Sequence, residues 1–339
     1  MIPIIFNFHY KIMQNQTIVG IDVSNATLDI CVNKSSGQRS FVIKNQVKVI
    51  SKFFSTCQGE EILIGMENTG RYNWALYEVL KELPQHRVFV VSPLHLKKSM
   101  GLVRGKNDKV DAVRIAAFIA KHHADLPVWK PTSPAVQKLK ILLTERNARI
   151  KAKTRLLKQQ KDYAKMKHLH MDRTLNEFNK QQVTLLNKQL HLIEKSMEEI
   201  IKTDEVMNRQ SKLIRSIPGV GKVLGWTMIA KTENFTTITT PRQMACYSGV
   251  VPFSNSSGTS IRGRERVSHY ADKYIKTILH MAAMRTVRLK NDMQAFYLRK
   301  VAQGKNKMSV LNAVRNKIIH RIFAVVKNQM PYQYDLPLS

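Results

Sequence analysis

The stretch TIVGIDVSNATLDICV, residues 17–32, decides the fold class. Two apolar runs flank Ser24-Asn25-Ala26, and turn-forming residues between β-rich runs predict a hairpin. Working outward, residues 41–43 predict a third strand, and 47–54 carry apolar residues at helical intervals. Residues 61–66 (EILIGM) and 87–91 (RVFVV) read as short buried strands. Residues 72–80 and the Ala-rich 111–121 read as helices. The order β-β-β-α-β-α-β-α predicts a mixed α/β sheet with helices on its faces.

Pro127, Pro131 and Pro134 then punctuate the chain and predict a domain boundary. From 135 to about 207 there is neither Pro nor Gly, and Leu and Ile recur at three- and four-residue steps. That pattern predicts a long paired helical hairpin, an α segment with coiled-coil character. Residues 135–180 hold thirteen Lys and Arg against four Asp and Glu, enough for a basic arm along phosphates. The same pattern suits a solvated coiled coil used for dimerisation, and the two readings are compatible. A third region opens at IPGVGK (217–222), continues into a helical run, crosses the polar, loop-like SNSSGTSIRGRER (254–266), and closes with helices at 273–287 and 309–326. The expected domains are an extension at 1–15, an α/β domain at 16–130, a basic helical segment at 131–210 and a mainly helical domain at 211–339.

The 339 residues include 55 Lys and Arg against 24 Asp and Glu, a formal charge of +31. An excess of that size points to a polyanionic partner, with nucleic acid foremost. Hydrophobic residues at 43% and charged residues at 23% place the chain among folded proteins and exclude a disordered basic tail. Cys31, Cys57 and Cys246 are odd in number and widely separated, which argues against a disulfide framework and a zinc knuckle and for a reducing compartment. No run approaches the roughly 18 apolar residues of a membrane span. Residues 1–10 are interrupted by Asn7 and His9 with no cleavage site following, so neither a signal peptide nor a membrane partner is expected. Residues before Met13 read as an extension or as the product of an upstream start. The expected location is cytoplasmic and nucleoid-associated.

In a chain so poor in acids, the placement of the acids is informative. Asp22 lies inside the first apolar strand, Glu67 follows the buried run ILIGM directly, and Asp108 and Asp111 stand three apart at a helix start. A carboxylate in a buried strand is costly unless it is paired or binds a metal. Spacing of three puts two helical acids on one face. Phosphodiester chemistry needs charge neutralised at phosphorus, and carboxylates holding one or two magnesium ions do this. The competing readings are helix N-terminal acids that offset the macrodipole for Asp108 and Asp111, a turn cap for Glu67, and an ordinary ion pair for Asp22. Asp29, Glu60, Glu61 and Glu78 sit on predicted exposed faces and are set aside.

Gly219, Gly221 and Lys222 precede a helix in a form that lets backbone N–H groups meet a phosphate, resembling half of a helix-hairpin-helix. A plain glycine-rich turn is the alternative, and the Walker A spacing is absent. In the 254–266 loop, hydroxyls cluster beside Gly258 and beside Arg262, Arg264 and Arg266. A serine there could attack phosphorus with arginines stabilising the charge, or the segment is only a loop. Further nucleic-acid contacts are expected from Arg104 and Lys106 ahead of the acidic helix, and from Lys138, Lys140 and Lys151 on the basic arm.

Together, GIDVSNATLDICV (20–32), GMENTGRYNWALYEVL (65–80), the 91–118 segment and the 217–283 segment resemble the DEDD-type transposases of bacterial insertion sequences related to the Piv DNA invertase, described as bridge-RNA-guided recombinases. The resemblance implies a RuvC-like, RNase H-type first domain, with Asp22, Glu67, Asp108 and Asp111 matching the magnesium ligands. It implies a coiled coil next, then a C-terminal transposase domain whose serine forms a covalent phosphoserine with DNA. Ser257 best matches that position, with Ser256 adjacent and Ser254 and Ser260 close. Relatives commonly read Ser-Gly-Gly-Lys where this chain has Ser257-Gly258-Thr259-Ser260, a departure that bears on loop geometry.

The resemblance further implies homodimers or homotetramers, with the acids of one subunit meeting the serine of another. It also implies a noncoding bridge RNA that pairs with donor and target DNA while the protein reads backbone and shape. The expected activity is magnesium-dependent DNA cleavage and strand exchange without ATP. The rivals are a RuvC-like hydrolytic junction nuclease, a Piv-like site-specific invertase, and a non-catalytic nucleic-acid-binding protein.

Overall fold

The computed structural model describes residues 16–57, 61–99, 108–166, 168, 172–257, 261–268 and 270–333. The side chains at 71, 98, 108, 109, 172, 254–257 and 261–266 lie outside that description. The chain divides into two compact units, the first ending at Pro131 and the second beginning at Thr132.

In the first unit, β1 (Thr17–Val23), β2 (Thr27–Lys34), β3 (Gly37–Lys44), β4 (Ile62–Glu67) and β5 (Arg87–Val91) form one sheet in the order β3-β2-β1-β4-β5. The first three strands are antiparallel, and β4 and β5 join parallel to β1. Ser24 makes the first turn: its amide and hydroxyl both donate to the Thr27 carbonyl, and its Oγ accepts from the Thr27 amide at 3.1 Å.

Alternation along the strands sends Val19, Ile21, Val23, Ile62, Ile64 and Met66 to one face, under α1 (Val47–Ser55) and α2 (Trp74–Leu80). Ile18, Leu63, Cys31 and Phe89 go to the other face, under α3 (Pro93–Ser99) and α4 (Asp108–His122). The sheet is covered on both sides, which is why β4 and β5 read as nearly continuous apolar runs. Two glycines seat α4. A Cβ on Gly20 would lie 2.3 Å from the Ala112 carbonyl oxygen and 2.4 Å from the Ala116 nitrogen, and one on Gly65 would lie 2.2 Å from Ile119.

The second unit opens with α5 (Pro134–Tyr163) and α6 (Asp172–Thr203). Ser133 caps α5, accepting from the Val136 amide with Pro134 next to it. Arg146 pairs with Glu194 at 2.8 Å and Arg149 donates to Gln189 at 3.0 Å, bracing the two helices. Val136, Leu139 and Leu143 of α5 and Met197 and Ile201 of α6 enter the same core as α7 (Glu205–Arg215), α8 (Lys222–Lys231), α9 (Pro241–Tyr247), α10 (Lys273–Thr286), α11 (Asp292–Ala302) and α12 (Lys307–Asn328), around the buried Trp226. Further along, Leu157, Phe178, Leu185 and Leu192 remain exposed on the two long helices.

One expectation is overturned here. Residues 254–266, expected as a loop, instead build a hairpin of β6 (Pro252–Ser257) and β7 (Ile261–Val267), with an irregularity between Phe253 and Asn255. The ladder is held by backbone pairing, and both strands are polar. They therefore lack the apolar alternation by which a half-buried strand is recognised. The turn residues 258–260, and with them Gly258 and Ser260, lie outside the described residues.

Candidate active site

The parallel register of β1 and β4 runs from Thr17↔Ile62 to Ile21↔Met66. Asp22 and Glu67 each follow the last of these pairs, so they stand at the same level on neighbouring strands. Alternation puts Asp22 with Ile18 and Gly20, and Glu67 with Leu63 and Gly65, on the face that carries α4. Both are partly exposed. The first turn of α4 supplies Asp108 and Asp111 within about one turn of Ala112, which sits on Gly20. The Asp108 side chain lies outside the described residues. Asp111 accepts from Arg114 at 2.8 Å, a pair within its own helix. Among the described residues, no three His, Cys, Asp or Glu side chains converge in a metal-holding group.

Asp29 needs correction. Expected on an exposed face, it is instead buried, with 8% of its surface accessible, and is paired directly with Asp22 across the antiparallel ladder. The apolar alternation Leu28, Ile30, Val32 directs Asp29 to the opposite face, and α4 covers that face. Glu61 and Glu78 are exposed as expected, and Glu60 lies outside the described residues.

The backbone that carries Glu67 is fixed by a residue absent from the sequence-based candidates. Asn73 is fully buried; its Nδ2 donates to the Glu67 carbonyl at 3.0 Å, and its Oδ1 accepts from the Thr69 amide and hydroxyl at 2.9 and 2.7 Å. Asn45 donates to the Ser24 and Tyr72 carbonyls, both at 2.9 Å, tying the turn after Asp22 to the turn after Glu67. An Asn closing E-N-T-G-R-Y-N is the available signal, since Asn bonds nearby backbone in turns.

The expected nucleic-acid contacts divide by surroundings. Lys138 and Lys151 are exposed on α5. Lys140 is held by Glu233 at 2.5 Å, and Lys222 lies 3.7 Å from Glu194, 3.8 Å from Glu198 and over the Trp226 ring. Gly219 has φ +83, and a Cβ there would lie 2.7 Å from the Thr286 nitrogen, so close packing accounts for this glycine. Gly221 is the N-cap of α8 with open space at its Cβ position. Arg104 and Lys106 lie outside the described residues, as do the side chains of Arg262 and Arg264.

Residues 19–166, which hold β1, β4 and the acidic turn of α4, match a transposase family of the DEDD IS110 type. Residues 211–298, from α7 through the β6–β7 hairpin into α11, match the family described as Transposase IS116/IS110/IS902. The chain belongs to the DEDD-type insertion-sequence transposases related to Piv. The transposase is 23% identical to the pilin gene-inverting protein of Moraxella bovis, over 94% of this chain and 98% of that protein. It is 22% identical to the transposase of insertion sequence element IS1111A from Coxiella burnetii, over 97% of this chain and 94% of that protein. A structure of T. thermophilus RuvC in complex with a Holliday junction substrate aligns to 34% of this chain and 100% of that one, at 16% identity and a TM-score of 0.26. As a member of this family the transposase is a DNA recombinase, and no described helix is long and apolar enough to cross a membrane.

Proposed function

We propose that the chain mobilises an insertion sequence by magnesium-dependent DNA cleavage and rejoining through a covalent phosphoserine at Ser257. The carrying observation is the matched placement of Asp22 and Glu67 on adjacent parallel strands, facing the helix that begins with Asp108 and Asp111. Strand order and strand directions support a RuvC-like reading of the first unit. An all-carboxylate donor set fits a hard divalent cation, and Asp22, Glu67, Asp108 and Asp111 are the residues that would hold it. Magnesium bound there would supply charge neutralisation at the phosphate.

The Ser257 hydroxyl gives up its proton and its Oγ forms a bond to phosphorus, while one phosphorus–deoxyribose oxygen bond breaks and the leaving oxygen is protonated. Attack by a deoxyribose hydroxyl of the second strand reverses these steps and frees the serine. One phosphodiester is exchanged for another at each stage, so no nucleotide hydrolysis is needed. The basic face of α5 supports DNA and bridge-RNA binding, with Lys138 and Lys151 as exposed contacts. The exposed Leu157, Phe178, Leu185 and Leu192 support assembly through the long hairpin into dimers or tetramers. The half helix-hairpin-helix reading of Gly219–Lys222 is kept for Gly221, whose surroundings are open.

The test is incubation of the full-length protein with magnesium, labelled element-end DNA and RNA transcribed from the flanking noncoding region. An SDS-resistant protein–DNA adduct that disappears in Ser257→Ala is the expected result. Free nicked product, unchanged in that variant, would replace this reading with a hydrolytic nuclease.

A further inference from the structure

An ammonium, an imidazole and a guanidinium come together at the root of the β6–β7 hairpin. Arg315, on α12, has only 6% of its surface exposed, and its Nε is buried without a hydrogen-bond partner. Its Nη1 donates to Asn312 at 3.3 Å and its Nη2 lies 3.0 Å from His280 Nδ1. Lys276 precedes His280 by one turn of α10, and its Nζ lies 3.9 Å from the Cβ position of Gly249. Two further bonds place this group under the hairpin. Asn312 donates to the Val250 carbonyl at 2.7 Å, just before β6, and the Asp272 amide donates to the Tyr247 carbonyl at 2.9 Å, closing the neck after β7.

Among the described residues, no carboxylate forms an ion pair with Arg315, Lys276 or His280, and the neighbouring Asp272 is taken by Lys231 at 2.8 Å. Burial holds Lys276 and His280 below their ordinary values, and Arg315 pushes both further in the same direction. Burial also disfavours the charged guanidinium of Arg315 itself. Buried charges without a partner are destabilising, whereas an oxyanion can take several charge-assisted bonds from a guanidinium and an ammonium at once.

We propose that Lys276, His280 and Arg315 form a phosphate site at the root of the hairpin that grips one backbone phosphodiester of the bound DNA. Six residues of β6 span about 20 Å, so this phosphate is a holding point separate from the one attacked near the turn. The assignment to DNA rests on the recombinase reading above; the presence of an oxyanion site does not.

The test follows the imidazole of His280 by NMR in full-length protein with labelled histidine, assigned through His280→Gln. Inorganic sulfate, a dianion throughout the titration, replaces chloride at constant ionic strength. The His280 midpoint is expected to rise by roughly one pH unit with sulfate and to lose most of that rise in Lys276→Met, whose partly exposed side chain can be removed without opening the core. Arg315→Lys, which keeps the charge and loses the fork, is expected to retain only part of it. A short DNA duplex should produce the same rise and compete with sulfate. An unchanged midpoint with both probes would overturn the site, and a response to single-stranded RNA but not to the duplex would overturn its assignment to DNA. A sulfate response without any Ser257 adduct would sink the recombination chemistry alone; an adduct without that response would sink the phosphate site alone.

Discussion

Asp22 of β1 and Asp29 of β2 are direct cross-strand partners, and Asp29 is buried. Opposed residues on one face of an antiparallel pair have Cβ atoms about 4.5–5.5 Å apart. Two carboxylates therefore stand side by side in a chain with a formal charge of +31, with Glu67 at the same level on the next strand. Like charges so placed repel, and a divalent cation between them reverses the sign of the interaction.

Stability should therefore respond to magnesium independently of catalysis. At about ten times the dissociation constant, a ligand specific for the folded state adds about 1.4 kcal/mol, seen as a rise of a few degrees in melting temperature. Asp22→Asn and Glu67→Gln should abolish that rise and the adduct while each variant still unfolds cooperatively without magnesium, and Asp29→Asn should weaken the rise. A rise preserved in all three variants would remove the metal from this site.

Asn73→Ala should disturb Glu67 without touching any carboxylate. The substitution removes the side-chain bonds to the Thr69 amide and hydroxyl and to the Glu67 carbonyl, leaving only the 3.1 Å backbone bond between Thr69 and Glu67, at about 0.5–1.5 kcal/mol for each bond lost. The expected outcome is a lower urea midpoint together with reduced adduct formation. Full activity in a destabilised variant would show that the turn supports the fold but not the acid.

The sequence makes the sheet and Asp22 legible because a carboxylate inside TIVGIDV contradicts its own apolar setting. Glu67 is legible for the same reason, at the end of ILIGM. Asp29 is not, since alternation with Leu28, Ile30 and Val32 reports which side is apolar but not that α4 closes over the other side. The β6–β7 hairpin escapes because its strands are polar on both faces. The Lys276–His280–Arg315 group escapes because its members lie on two helices, with His280 and Arg315 separated by 35 residues.

The basic arm should separate into two kinds of lysine. Lys138→Ala and Lys151→Ala should each lower the slope of log affinity against log salt by about 0.9 for every phosphate the variant no longer neutralises. Lys140→Met should leave that slope almost unchanged, because its ammonium is held by Glu233. Fluorescence anisotropy across a salt series distinguishes them, and equal slope changes for all three would assign Lys140 to the nucleic acid.

Asp272 offers a pH signature. Burial raises its carboxyl, but the bonds from Lys231 and from the Ile275 and Tyr274 amides outweigh this and hold it below its ordinary range. Stability from such a group is present above the unfolded carboxylate value and is lost as pH falls through the folded one. Asp272→Asn keeps the cap on α10 and loses the charge. It should cost about 1–3 kcal/mol at pH 7, and the gap to wild type should narrow below about pH 4. A gap constant from pH 7 to pH 3 would assign the effect to capping alone.

Gly20 and Gly65 carry no functional group, yet a single added methyl at either would collide with α4. Crowding of that kind costs about 1–3 kcal/mol or more and would lift the helix that bears Asp108 and Asp111 away from the strands that bear Asp22 and Glu67. Random mutagenesis scored only for lost transposition would return these glycines beside the acids as one indistinguishable class. Expression and melting would then split them, since acid variants would accumulate as folded, inert protein and glycine variants would fail to accumulate.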